Sequence, residues 1–182
     1  MFFTTGFVLA FVFFDQQSNL FASLGEEQFQ VLNELGEIVF GSTPLLGIAV
    51  LFLNNFISIM NMLIFGVILG IAPLIGLLAN GSLLGVVSTI IMQEQTNPLA
   101  FLVLGILPHG IFELPAVFIS AALALKLGFH IVFPLPQKKR GESFKYIWRN
   151  EIFTILPLIF LLLLVGAFIE VLITPYILSF AL

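Results

Sequence analysis

From Pro44 to Met92 the chain runs for 49 residues without an Asp, Glu, Lys or Arg. As a single α-helix that stretch would be about 73 Å long, more than twice the ~30 Å hydrocarbon core of a bilayer. A soluble domain cannot absorb it either. The whole chain is 9% charged and 60% apolar, whereas a water-soluble domain carries about a quarter charged residues. The stretch must therefore turn back within a membrane, and Gly70-Ile-Ala-Pro73 is the place where the pattern allows it. Two spans result, over about 45–68 and 72–92.

The other apolar runs fit the same architecture. Residues 99–125 and 152–175 are each long enough to cross. Residues 1–14 form a shorter run of ~20 Å, which lacks the basic n-region and the cleavage site of a signal peptide and is read as a span. The expected fold is an all-α polytopic bundle of about five spans, one membrane domain over 1–182. Between the first two spans, Leu24, Gln28, Val31, Leu35, Ile38 and Val39 recur at helical spacing. They predict an amphipathic helix over about 24–39, opened by a capping box at Ser23-Leu-Gly-Glu26 and stopped near Gly41.

Charge orients the bundle. All six Lys and Arg (Lys126, Lys138, Lys139, Arg140, Lys145 and Arg149) lie within one 24-residue window. Asp15, Glu26, Glu27, Glu34 and Glu37 occupy a segment with no basic residue. Basic loops stay on the cytoplasmic side. Five spans then place 126–150 inside, 15–43 and the C-terminus outside, and the chain in the plasma membrane. With no Cys, disulfides and thiolate metal sites are excluded.

Several polar residues fall inside the spans: Asn54 and Asn55 in the second, Asn80 in the third, His109 and Glu113 in the fourth, and Glu170 in the fifth. Counted along the helices, most sit near the midplane. His109 and Glu113, four apart, share a helix face. Two readings stand open. In one, the group is an interhelical hydrogen-bond cluster that fixes packing, with His109 donating to Glu113 or an Asn. In the other it is a cation or proton site, because intramembrane carboxylates tend to be functional. Pro108 and Pro115 remove hydrogen bonds to the carbonyls of Leu104 and Ile111, and Gly110 lies between them, so the fourth span is expected to be kinked and broken there. Gly66-x-x-x-Gly70 and Gly81-x-x-x-Gly85 have the small-residue spacing of close helix approach, within the chain or across a homodimer.

The run Leu107-Pro-His-Gly-Ile-Phe-Glu-Leu-Pro-Ala116, with Phe52-Leu-Asn-Asn55, Asn80-Gly-Ser-Leu-Leu-Gly85, Ala167-Phe-Ile-Glu170 and Ile173-Thr-Pro175 in the same order, resembles the stage II sporulation protein M family of multi-pass membrane proteins. The resemblance covers the second to fifth spans and implies functional or structural weight for Asn54, Asn55, Asn80, Gly81, Pro108, His109, Gly110, Glu113, Pro115 and Glu170. The founding member looks like a membrane anchor that recruits cell-wall-degrading partners.

Three functions stand as expectations. The first is a non-enzymatic scaffold in the lipid bilayer, homodimeric, organising membrane or cell-envelope protein partners. The second is a transporter or channel-like component with a bound cation or proton at the polar layer. The third is a metal-dependent intramembrane hydrolase. A zinc site usually needs three protein ligands, and His109, Glu113 and Glu170 are the available set, His130 lying beyond the span. No other cofactor and no nucleic-acid partner is expected.

Overall fold

A computed structural model describes residues 1–13, 34–94 and 97–179. Their regular structure is helical: α1 (Phe2–Phe13), α2 (34–41), α3 (Pro44–Phe65), α4 (Ile71–Glu94), α5 (Pro98–Val132), α6 (Arg140–Ile147), α7 (Phe153–Phe168) and α8 (Thr174–Leu178). Wide π turns at Trp148–Ile152 and Ile169–Ile173 join the last three, so Arg140–Leu178 forms one rod of 39 residues. Among the described residues, four helices are long and apolar enough to cross a membrane: α3, α4, α5 and this C-terminal rod. α1, at 12 residues, is about 18 Å long and falls short of the core thickness.

Local chemistry sets the helix starts. Pro44 and Pro98 occupy first-turn positions, where a missing N–H costs nothing. The Asn97 side chain accepts from the Ala100 N–H at 3.5 Å, and the Glu142 carboxylate caps α6 by accepting from the Lys139 N–H at 3.0 Å. α3 and α4 are joined by the turn 66–70, which contains two consecutive left-handed residues, Leu69 (φ 53°) and Gly70 (φ 70°). Gly70 suits that region, whereas a β-carbon at Leu69 costs roughly 1–2 kcal/mol. The fold-back lies where the apolar run was expected to turn.

Two details depart from the sequence reading. α5 continues in α conformation through Pro108 and Pro115 and on to Val132, so the chain stays helical across the expected break, although neither proline has an N–H to bond the carbonyl four residues back. The basic segment 126–150 is largely helix rather than loop. Lys126 belongs to α5, Arg140 and Lys145 to α6, and Arg149 to the first π turn, leaving Lys138 and Lys139 in the connection. Lys126 Nζ bonds Glu151 Oε2 at 2.7 Å, tying the end of α5 to the start of the rod. Of the expected amphipathic helix, 34–39 is helical, and the helix runs on to Gly41; 24–33 and the Ser23–Glu26 capping box lie outside the described residues.

Glycines set the helix spacing. α1 runs parallel to the second half of α4. A β-carbon on Gly81 would collide with the Phe3 carbonyl, one on Gly85 would lie 2.6 Å from the Phe7 carbonyl, and one on Gly6 would meet the Leu78 carbonyl. Ser82 and Thr89 donate across the same seam to the carbonyls of Gly6 and Phe11. Similarly, Gly128 of α5 sits against Gly66 and Gly70, and Gly66 sits 2.8 Å (from a β-carbon position) from Ala124. Both small-residue motifs are thus used inside the chain. The second contact places the α3–α4 turn at the same end of the bundle as the basic residues. α2, the start of α3 and α8 lie at the opposite end, where Val39 packs on Gly47 and α8 on α5.

Gly81→Leu should force α1 away from α4 and lower stability by about 1–3 kcal/mol, the usual cost of overpacking. Gly41→Ala, with nothing within 4 Å of its β-carbon position, should leave the thermal midpoint in nanodiscs unchanged.

Candidate functional site

Halfway along the bundle, α3, α5 and the C-terminal rod bring three ionisable side chains together. Asn55 of α3 donates from Nδ2 to Glu113 Oε1 at 2.9 Å. One turn away on α5, His109 Nδ1 contacts Glu170 Oε2. Glu113 fits between α5 and α7 because residue 166 is glycine: a β-carbon there would lie 2.7 Å from Glu113 Cγ and 3.2 Å from its Oε1. Each contact answers the same demand, since a polar group left unpaired in hydrocarbon costs several kcal/mol.

Glu170 is the second residue of the π turn Ile169–Ile173. A π turn inserts one residue into the helical repeat and rotates the residues beyond it, and such turns are frequent at functional sites. Pro175, just past the turn, has no N–H to close an ordinary turn onto Val171. Buried within this region, Thr174 is 3% exposed, and its Oγ1 has no hydrogen-bond partner among the described residues. The sequence reading passed over Gly166 and Thr174. Thr174 stands inside the Ile173-Thr-Pro175 motif, which was the available signal; the role of Gly166 depends on which helix faces it.

The expected residues divide. His109, Glu113, Glu170 and Asn80 line one cavity of about 660 Å³ between α4, α5 and the C-terminal rod, with Gly105, Gly110 and Thr174 beside them. Asn80 donates from Nδ2 to the Gly76 carbonyl of its own helix at 2.8 Å, a bond that does not use its side-chain oxygen. Asn55 reaches the cluster through Glu113 but is not part of the cavity wall. Asn54, one residue along and about 100° around the helix, is exposed on the outer side of α3. The expected His109–Glu113 or His109–Asn bond is replaced by the His109–Glu170 pair. Pro108 and Pro115 lie within α5, while Gly81 and Gly85 serve α1 packing. No group of three His, Asp or Glu among the described residues has the disposition of a metal-ligand set. His130 stands at the far end of α5, its Nδ1 at 2.9 Å from the Phe133 carbonyl.

The profile of the family described as Stage II sporulation protein M matches residues 1–175. The chain belongs to that family. A similar protein of Methanocaldococcus jannaschii, itself uncharacterised, is 32% identical over 187 positions, which cover 100% of this chain and 94% of the relative. No solved structure matches. Family membership therefore adds that the chain is an integral membrane protein of the stage II sporulation protein M type. Of the polar residues that the resemblance singles out, Asn80, His109, Glu113 and Glu170 line the cavity, Asn55 bonds Glu113, and Asn54 lies outside the group.

Asn55→Leu should destabilise the protein by roughly 1–3 kcal/mol by stripping Glu113 of its donor. The double change Asn55→Leu, Glu113→Leu should recover part of that loss. A double-mutant cycle of unfolding in mild detergent reads the coupling, and additive effects would contradict the pairing.

Proposed function

We propose that this chain is a membrane transport protein, or a subunit of one, that admits a proton or cation to the layer formed by Glu113, Glu170 and His109. The observation that carries this reading is that both carboxylates line one cavity halfway along the membrane-spanning helices. A purely structural cluster would be expected to close around its hydrogen bonds. This one borders open volume and leaves Thr174 Oγ1 unpartnered among the described residues. Carboxylates at membrane depth mark ion and proton pathways, and Pro108, Gly110 and Pro115 supply α5 with backbone carbonyls and freedom beside them.

In this reading the basic end of the bundle is cytoplasmic and α2 and α8 lie outside. Because the chain has no Cys, orientation is directly testable. In intact cells an impermeant maleimide should label Ser179→Cys and spare Lys139→Cys; the reverse pattern would overturn the orientation.

Reconstituted in proteoliposomes, the wild-type protein should pass protons or a monovalent cation faster than protein-free vesicles. Glu113→Gln and Glu170→Gln should each reduce that flux at least tenfold. A wild-type rate equal to that of empty vesicles, or variants equal to wild type, sinks the transport reading.

The scaffold reading draws on a different surface, the exposed Lys138, Lys139, Arg140, Lys145 and Arg149 beside exposed Phe144 and Tyr146. It predicts that reversing these charges abolishes partner recruitment and that Glu113→Gln does not.

A further inference from the structure

The cavity is too large for a bare ion and has the wrong polarity for a membrane lipid. Its ~660 Å³ is more than twenty times the roughly 30 Å³ share of one water and falls within the range of small-molecule sites. The helix directions give it two ends. From Asn80 to Ile91 on α4, from Glu113 back to Phe101 on α5, and from Glu170 to Leu178 along the rod, the lining changes from polar at mid-depth to wholly apolar toward the opposite end. Phe40 of α2 completes that apolar end. A phospholipid from the nearer leaflet would hold its headgroup at the surface and its methyl termini at mid-depth, against the carboxylates. An occupant that suits the walls carries its polar group inward and its apolar body outward.

Beside the His109–Glu170 pair, the deep end offers acceptors. Glu113 keeps one carboxylate oxygen beyond its bond to Asn55, Asn80 keeps a side-chain oxygen that its bond to Gly76 does not use, and Thr174 Oγ1 is buried, the residue being 3% exposed, with no partner among the described residues. An ammonium group has three donors and no acceptor, matching three such oxygens. From this we infer that the cavity binds a lipophilic primary amine, its ammonium set among Glu113, Asn80 and Thr174 and its hydrocarbon body along Phe101 and Phe40. This rests on the reading of the layer as a cation site and specifies what enters it.

The test uses the full chain in nanodiscs, titrated calorimetrically with 1-adamantylamine and with its neutral analogue 1-adamantanol. The wild type should bind the amine at least tenfold more tightly than the alcohol. Glu113→Gln should abolish that preference while leaving alcohol affinity unchanged. Thr174→Val, which removes a single hydroxyl, should reduce amine affinity about threefold or more and serves if the first variant fails to fold. Gly105→Leu should weaken both ligands at least tenfold by filling the cavity. Its β-carbon position is in ordinary contact with Leu178, at 3.6 Å, so the backbone has no need to move. Equal binding of amine and alcohol to the wild type, no binding of either, or a preference that survives both polar substitutions overturns the inference. Glu113-dependent flux of inorganic cations without amine preference would reject the amine alone; absence of both would reject the transport reading with it.

Discussion

Hydrocarbon gives a polar side chain no alternative partner, and this constraint organises the bundle. In water, Asn55, His109, Glu113 and Glu170 would be solvated separately and would say nothing about helix arrangement. In a bilayer each must find another. The Asn55–Glu113 bond sets α3 against α5, and the His109–Glu170 pair sets α5 against the C-terminal rod. The apolar residues around them, among them Ile59, Leu63, Ile159 and Leu163, fill the interior, but lipid tails would satisfy such groups nearly as well. Direction and register come from the polar pairs.

Pairing over such distances requires the helices to come close, and the glycines make that approach physical. Gly166 leaves the space that Glu113 occupies; Gly66 and Gly128 let α3 and α5 meet backbone to backbone at the fold-back; Gly81 and Gly85 seat α1 on α4. A motif of small residues is silent about whether its partner lies in the same chain or in another copy. Here both motifs are filled by the chain itself, so a homodimer, if formed, has to use other surfaces.

The π turn at Ile169–Ile173 connects packing to chemistry. A regular helix through Glu170 and Thr174 would keep the i, i+4 pair stacked on one face. The extra residue changes their relative direction, and the two bracket the polar end of the cavity. On the other wall, α5 stays helical through two prolines because neighbouring helices hold it in line while its freed carbonyls remain near His109 and Glu113. The polar layer therefore combines fixed pairs with locally weakened backbone.

Much of this was legible in the residues themselves. The charge-free run from Pro44 to Met92 dictated a membrane fold with a turn near Gly70, because no other solvent accepts so long an apolar segment. Helical rise alone put Asn80 and His109 near mid-depth, with Glu113 about a turn further in and Glu170 nearer the outer side. What a linear pattern cannot contain is azimuth: Asn54 and Asn55 look equivalent in sequence, yet 100° of rotation sends one outward and the other to Glu113. Nor can it reveal that His109 pairs with Glu170, that Gly166 rather than Gly81 makes room for a carboxylate, or that one π turn redirects the end of the chain. Depth comes from counting residues along one helix, but partnership depends on how separate helices face one another, and that was decided by the tertiary structure.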